Sequence, residues 1–517
     1  MRSANGKTNR RNRRPAAAGA EAVAAPARSE RYRQLTNPFE PLRIFSDDNV
    51  EALHLAALTI LENLGIRVLH AGARRQLAAA GAAVDESTEM VRFDRGLVEQ
   101  ALSTVPHTVK LHGRSSDRTV TLGGRHVIIT PVSGPPNVTD CQRGRRPGSL
   151  QEFRDFIRLA QSFDVIHALG PSVEPQDVPV NVRHLEMTHA QLTLSDKPPW
   201  VFCRGHQPVQ DSFEMLRIVH GVDEAAFRER VYTYTVINTN SPRQLDIPMA
   251  EGIIEFAEAR QLAIVTPFTL AGAMAPITVP GALTLAHAEA LAGITLSQIT
   301  RPGAPVAYGS FTSNVDMKSG SPAFGTPEYV KAALGAGQLA RRIGVPWRSS
   351  SATASNAPDE QAVYEAEMSL WGALMGGCNV LLHGAGWLEG GLTASYEKFI
   401  LDVEMLQMMA ETFQPVEVSA DEIGLDAIAD VSPGGHFFST PHTMQRYKTA
   451  FYSPLVSDWR NFGTWEEGGS RTARQRATDL WRSTLESYTA PAMDQAIGEE
   501  LTAFVERRRA EGGAVPL

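Results

Sequence analysis

The chain has 517 residues, a net charge of −8 and three cysteines. Only its first 14 residues are strongly basic, so the concentrated basic face that phosphate contacts require is missing and no nucleic-acid partner is expected. Cys141, Cys203 and Cys378 lie far apart, which fits a reducing cytoplasm rather than a disulfide framework or a zinc cluster. The most apolar stretch, TLAHAEALAGITL, carries His287 and Glu289 and falls short of the roughly 20 residues a membrane span needs, so no membrane partner is expected.

Taken in chain order, residues 1–38 read as a disordered, basic and Ala-rich tail, without the apolar core of a secretory signal. Residues 39–125 read as a mixed cap. The stretch from Asp47 opens with an acidic first turn, keeps apolar residues at helical spacing and stops at Gly65. A second helix is expected over Asp94–Ser103, and VKLHG (109–113) and VTLGG (120–124) read as short strands.

From 126 to 412 a short apolar run followed by a helical stretch recurs every 30–40 residues or so. The runs span 126–134, 164–172, 199–205, 231–238, 263–272, 304–311, 345–351 and 379–387. Helices are expected at 149–162, 180–193, 208–220, 246–260, 278–299, 326–343, 358–376 and 393–412. Ser149 with Glu152 fits a capping box, and Thr326-Pro327-Glu328 places a capping hydroxyl before a first-turn proline. Eight strand–helix turns predict an α/β fold of the (β/α)8 TIM-barrel type, whose chemistry is built at the C-terminal ends of the strands. Residues 413–517 read as an extension that packs on the barrel, with a long helix from about Thr472 to Arg509, and a homo-oligomer is expected.

The strand-end loops are rich in aromatics, hydroxyls and amides and poor in clustered acids. A hard or borderline cation needs three or more His or Asp ligands, and only His206 and His383 qualify there, so no metal is expected. Gly384-Ala385-Gly386 lacks the residues of a phosphate loop and reads as room for a close backbone turn. Phe268, Phe311, Trp347 and Trp387 stand at or just past strand ends, with Tyr396 following. Each alone fits core packing; as a group on one face they favour a cationic or apolar organic ligand. Arg348 would lie near the open end, gripping a carboxylate or paired with a loop acid. His383 fits either a substrate carboxylate or the loop backbone, and Glu389 either a functional carboxylate or an anchor of the last loop.

Four long ordered segments resemble the trimethylamine methyltransferase superfamily. They are NVDMKSGSPAFGTPEYVKA (314–332), SNAPDEQAVYEA (355–366), LLHGAGWLEGGLTASYEKFILDVEML (381–406) and GGHFFSTPHTMQRY (434–447), and the resemblance spans roughly residues 45–490. It implies an eight-stranded α/β barrel that passes a methyl group from an amine to the Co(I) of a separate corrinoid protein, with no tightly bound cofactor of its own. The founding members carry pyrrolysine near the seventh strand. Here the corresponding stretch, about Ser350–Asn356, holds only ordinary residues, which points away from trimethylamine and toward a quaternary amine such as glycine betaine, carnitine or proline betaine. On that reading Phe311, Trp347 and Trp387 face the ammonium, Arg348 and His383 the carboxylate, and Glu389 and Tyr396 position the last loop. A trimethylamine:corrinoid methyltransferase, a tetrahydrofolate-linked methyltransferase, left open by Asn238, Asn240 and Asp316, and a non-catalytic betaine-binding or scaffold barrel are the alternatives.

Overall fold

The computed structural model describes residues 30–515. Six of the eight apolar runs form strands: β1 (His126–Ile129), β2 (Tyr234–Thr239), β3 (Leu262–Ala271), β4 (Val306–Gly309), β5 (Trp347–Ser350) and β6 (Val380–Leu382). They pair in parallel in the order β2-β3-β4-β5-β6-β1, with registers such as Tyr234↔Leu262, Tyr308↔Trp347 and Arg348↔Val380.

The remaining two runs differ from expectation. Between β1 and β2 the chain makes isolated backbone bonds, from His167 to Ile129 (2.8 Å), Leu169 to Pro198 (2.9 Å) and Val201 to Tyr234 (3.1 Å), and no continuous ladder joins these segments among the described residues. Pro171, Pro198 and Pro199 have no N–H to donate, which interrupts ladders here. The sheet is also mixed rather than purely parallel. Antiparallel strands Val120–Gly123 and Thr108–Leu111 continue it past β1, and Leu35–Thr36 pairs with β1.

The expected helices are all present: α1 (Leu150–Ser162), α2 (Val180–Leu194), α3 (His206–His220), α4 (Ile247–Glu258), α5 (Val279–Thr300), α6 (Pro327–Ile343), α7 (Glu360–Met375) and α8 (Tyr396–Thr412). The caps read from sequence hold them. Ser149 accepts from the Glu152 N–H, and Thr326 accepts from the Tyr329 N–H with Pro327 opening the helix. The eighth helix begins three residues late, because Thr393–Ser395 is taken into a small sheet with Trp387–Leu388, Asn137–Thr139 and Arg146–Pro147. Among the described residues α5 alone has the length and hydropathy of a membrane span, and 78% of that window is buried inside the fold.

Side chains alternate along the strands and sort into two cores. Ala263 and Val265 of β3 join the large cluster under the helices. Leu262 and Ile264 point the other way, into a smaller cluster with Ile128, Tyr234, Ala307, Val380 and Leu382. That inner cluster is completed by Val109, Leu111, Val120 and Leu122 of the antiparallel hairpin.

Outside this body, Asp47–Thr59 and Arg95–Leu102 form the expected cap helices, capped by Ser46 and Asp94. Residues 30–38, read from sequence as part of the tail, are packed: Tyr32 and Leu35 are buried. The rest of the tail assignment, residues 1–29, lies outside the described residues. The single long C-terminal helix is two, Ala473–Glu486 and Gln495–Ala510. Pro491 lies in the break, and Asp494 caps the restart by accepting from Ala496 and Ile497. The first of them packs on α1 and α8, the second on α2 and α3.

Candidate active site

At the C-terminal ends of the strands a cavity of about 610 Å³ is lined by aromatic, aliphatic and neutral polar side chains together with Arg204 and Arg348. Phe311, Arg348, His383 and Trp387 line it together, although they come from three different strand ends. Phe311 stacks on Phe324 (5.1 Å, 8° between planes) and meets Phe268 at 5.3 Å and Trp387 edge-on at 6.1 Å. The Trp387 indole N–H donates to the Thr353 carbonyl (3.1 Å), which fixes the ring. Trp200 and Phe202 line the cavity as well. Sequence reading missed these two. The only signal was the pair of aromatics two residues apart in PWVFCRG, the period that sends side chains of an extended chain to one side.

Arg348 is the unusual group. It is buried, yet its Nε and Nη1 have no hydrogen-bond partner, and among the described residues no carboxylate reaches it at ion-pair distance. Its guanidinium carbon lies 5.1 Å from the centre of the Phe311 ring. Burial pulls its pKa down to about 10, with the hydroxyls of Tyr329 and Tyr234 nearby opposing this. A buried cation without a partner is costly, and proteins normally pair or hydrate such a group. By contrast Arg204, on the same cavity, is paired with Glu174 (2.9 Å), which also takes Arg183 (2.6 Å).

His383 sits beside Arg348 with φ +57° and its ring 4.0 Å from that of Trp387. Its Nδ1 is buried without a partner. Burial, with the positive charge of Arg348 second, holds its pKa well below the usual histidine value, so the imidazole is neutral at physiological pH. The following Gly384 has no room for a side chain: a Cβ there would lie 2.7 Å from Ile129 and 3.0 Å from the Thr130 carbonyl. Further on, the Gly386 N–H donates to Asp402 (2.9 Å), itself paired with Lys398, so the loop is pinned to α8. On another part of the lining, Thr239 and Ser241 each donate to the buried Glu289 carboxylate at 2.6 Å. Burial raises the pKa of that carboxyl.

Trp347, expected at the ammonium, lies elsewhere, and neither Tyr396 nor Glu389, expected to position the last loop, lines the cavity. Trp347 is adjacent to Arg348 on β5 and so points to the opposite face, where its indole fills the space left by Gly337 and Gly376 between α6 and α7. It is a packing residue and does not reach the ammonium side. Tyr396 stacks on Phe156 (4.7 Å) and packs against Trp481 (4.6 Å), with its hydroxyl 3.2 Å from Asp155, between α1 and the C-terminal extension. Glu389 turns away to pair with Arg145 (3.0 Å), while its N–H donates to the Ser355 carbonyl; it anchors the loop. Asn238 and Asn240 line the cavity and Asp316 does not.

Comparison with known proteins gives this arrangement its relatives. The family model described as "Trimethylamine methyltransferase (MTTB)" matches residues 8–513. The chain is 35% identical over 472 residues to a glycine betaine methyltransferase of Desulfitobacterium hafniense strain Y51, covering 91% of this chain and 98% of that protein. It is 30% identical to a trimethylamine methyltransferase MttB of Desulfitobacterium hafniense strain DSM 10664 / DCB-2, covering 91% and 94%. In three dimensions it is similar to the crystal structure of the Methanosarcina barkeri monomethylamine methyltransferase MtmB, with a TM-score of 0.50 at 12% identity over 87% of this chain and 90% of that one, a likeness of fold. The α/β architecture, the family model spanning nearly the whole chain and relatives matched along almost their full length place this protein in the trimethylamine methyltransferase family.

Proposed function

We propose that this enzyme removes a methyl group from a quaternary ammonium compound carrying a carboxylate, of the glycine betaine type, and delivers it to the Co(I) of a separate corrinoid protein at the open end of the cavity. The observation that carries the reading is the unpaired, buried Arg348 in an aromatic cavity. A guanidinium on the cavity lining with no carboxylate at ion-pair distance among the described residues suits a carboxylate ligand. The rings of Phe311, Trp387 and Phe268 suit an ammonium at about 0.5–2 kcal/mol each. A zwitterion satisfies both, and trimethylamine would leave the guanidinium unmatched. The glycine betaine methyltransferase at 35% identity supports the same choice.

Chemically, the carbon–nitrogen bond breaks with its electron pair staying on nitrogen, so the quaternary ammonium leaves as a neutral tertiary amine and no proton moves. The new bond to the methyl carbon takes its electron pair from the acceptor. Arg348 and neutral His383 would hold the carboxylate while the rings hold the ammonium. This directs one methyl toward the open end and shuts water out, an alignment effect worth several kcal/mol. Cation–π attraction fades as charge leaves nitrogen, so these rings must not bind the ground state too tightly. The reading extends to a complete eight-membered barrel, since the isolated bonds of 167–169 and 198–201 bridge the gap between β1 and β2. It extends also to a cytoplasmic homo-oligomer.

The test is to mix the enzyme with a Co(I) corrinoid protein and glycine betaine, proline betaine, carnitine, choline or trimethylamine. The Co(I) spectrum is followed and the amine product identified by mass spectrometry. Loss of the Co(I) band with stoichiometric dimethylglycine, or the corresponding product of another betaine, is expected. Reaction with trimethylamine alone, or none with a corrinoid protein competent toward another methyltransferase, would overturn the proposal.

A further inference from the structure

Beside the cavity, three metal-ligating side chains that the methyl-transfer reading does not use come together. His206 opens α3, while Glu251 and Glu255 stand one turn apart on α4. A donor atom from each lies within 4.8 Å of the other two. His206 Nδ1 is hydrogen-bonded to Glu255 Oε1, and His206 is otherwise exposed. Glu255 is 7% exposed, and its second oxygen, Oε2, is buried without a hydrogen-bond partner, although Gln210 lies beside the carboxylate. Among the described residues no lysine or arginine forms an ion pair with either glutamate. The sequence reading counted only strand-end residues and so passed over two carboxylates on a helix flank.

We propose that His206, Glu251 and Glu255 bind one divalent first-row cation of the Zn²⁺ type. One imidazole and two carboxylates form a borderline N/O donor set suited to such ions. Around a tetrahedral ion with bonds of about 2.1 Å the donors sit roughly 3.4 Å apart, so the hydrogen-bonded His206 and Glu255 atoms would part slightly, while all three donors already lie within 4.8 Å of one another. The ion would replace the His206–Glu255 hydrogen bond and cancel the repulsion between two acids at helical i,i+4 spacing. The ion would tie the start of α3 to α4, next to Cys203 and Arg204 on the cavity wall. The two segments are already in close contact there, since a Cβ on Gly252 would lie 2.6 Å from the Cys203 sulfur.

The experiment is calorimetric titration of the chelator-treated full-length protein with ZnCl2, with thermal unfolding in parallel, and it needs neither substrate nor corrinoid protein, so it stands or falls apart from the methyl-transfer reading. One saturable equivalent that raises Tm is expected. His206→Ala, a change at an exposed side chain, and the isosteric Glu255→Gln should each weaken that binding more than about tenfold, whereas Cys141→Ser should leave it intact. Absence of saturable binding, or an equivalent that survives both substitutions or is lost with Cys141, would overturn the site.

Discussion

Replacing Arg348 by methionine should change stability and binding in opposite directions. Arg348 is buried and unpaired, and the fall of its pKa to about 10 corresponds to a penalty on the order of 3 kcal/mol that the folded state carries at neutral pH. The penalty applies at any pH below the folded pKa and is relieved only as the pH rises through it. Methionine has a similar length and no charge, so Arg348→Met removes the penalty and gives up only the contact with Phe311, worth about 1 kcal/mol. The net gain of about 2 kcal/mol, set against an unfolding entropy of roughly 1 kcal/mol/K for a chain of this size, raises Tm of the ligand-free protein by about 2 °C. Binding moves the other way. A carboxylate deprived of its desolvated guanidinium loses about 2–5 kcal/mol, a factor of roughly 30 to several thousand in Kd for glycine betaine. Choline, which has the ammonium and no carboxylate, should bind the variant about as well as the wild type. Scanning calorimetry of the free protein and titrations with the two ligands measure all three quantities. A lower Tm in the variant would show that Arg348 has a partner in the free protein. Equal losses for betaine and choline would remove the carboxylate role and with it the main support for the proposed substrate class.

Two further outcomes follow from the same geometry. Trp347 and Trp387 should separate cleanly: Trp347→Leu costs about 2–4 kcal/mol of stability by opening space between α6 and α7 while the surviving folded protein binds betaine normally, whereas Trp387→Leu weakens betaine binding by about 0.5–2 kcal/mol, or 2- to 30-fold. Equilibrium unfolding and ligand titration on both variants check this, and a binding defect in Trp347→Leu would contradict its placement. Stability should also fall on acidification. His167 Nδ1 accepts the Ile129 N–H (2.8 Å) and its Nε2 donates to the Tyr32 carbonyl (2.5 Å), so the ring must be neutral, and burial lowers its pKa from 6.5 to about 4. The unfolded chain takes up this proton first, so the contribution is complete above pH 6.5 and is lost toward pH 4, by on the order of 3 kcal/mol. His167→Gln should flatten the denaturant-measured stability curve in that window, and an unchanged slope would refute the assignment.

How much of this was legible beforehand can be read from particular residues. The helices were, because their signals are local: the capping hydroxyls of Ser149 and Thr326, the acidic turn at Asp47 and apolar spacing near 3.6 act within a few residues of one another. The C-terminal break was missed although Pro491 and Asp494 were in view, because helical periodicity resumes after it. The two unladdered runs looked like strands by hydropathy, while their prolines withhold the donors that pairing needs.

For the candidate site the sequence by itself determined which residue types stand at the strand ends: an arginine, a histidine and several aromatics with few acids. Tertiary structure alone decided which of them share a cavity. Trp347 and Arg348 are neighbours in a strand buried on both faces, so hydropathy cannot say which points inward; the inner and outer cores settle it, sending Arg348 to the cavity and Trp347 to the helices. Likewise no local pattern announces that Arg348 lacks a partner, that Tyr396 is taken up by Phe156 and Trp481, or that His206 meets two glutamates some 45 residues further on. Secondary structure is written in short-range periodicity and caps, whereas pairing, burial and charge compensation depend on contacts between residues far apart in the chain, which exist only once the chain has folded.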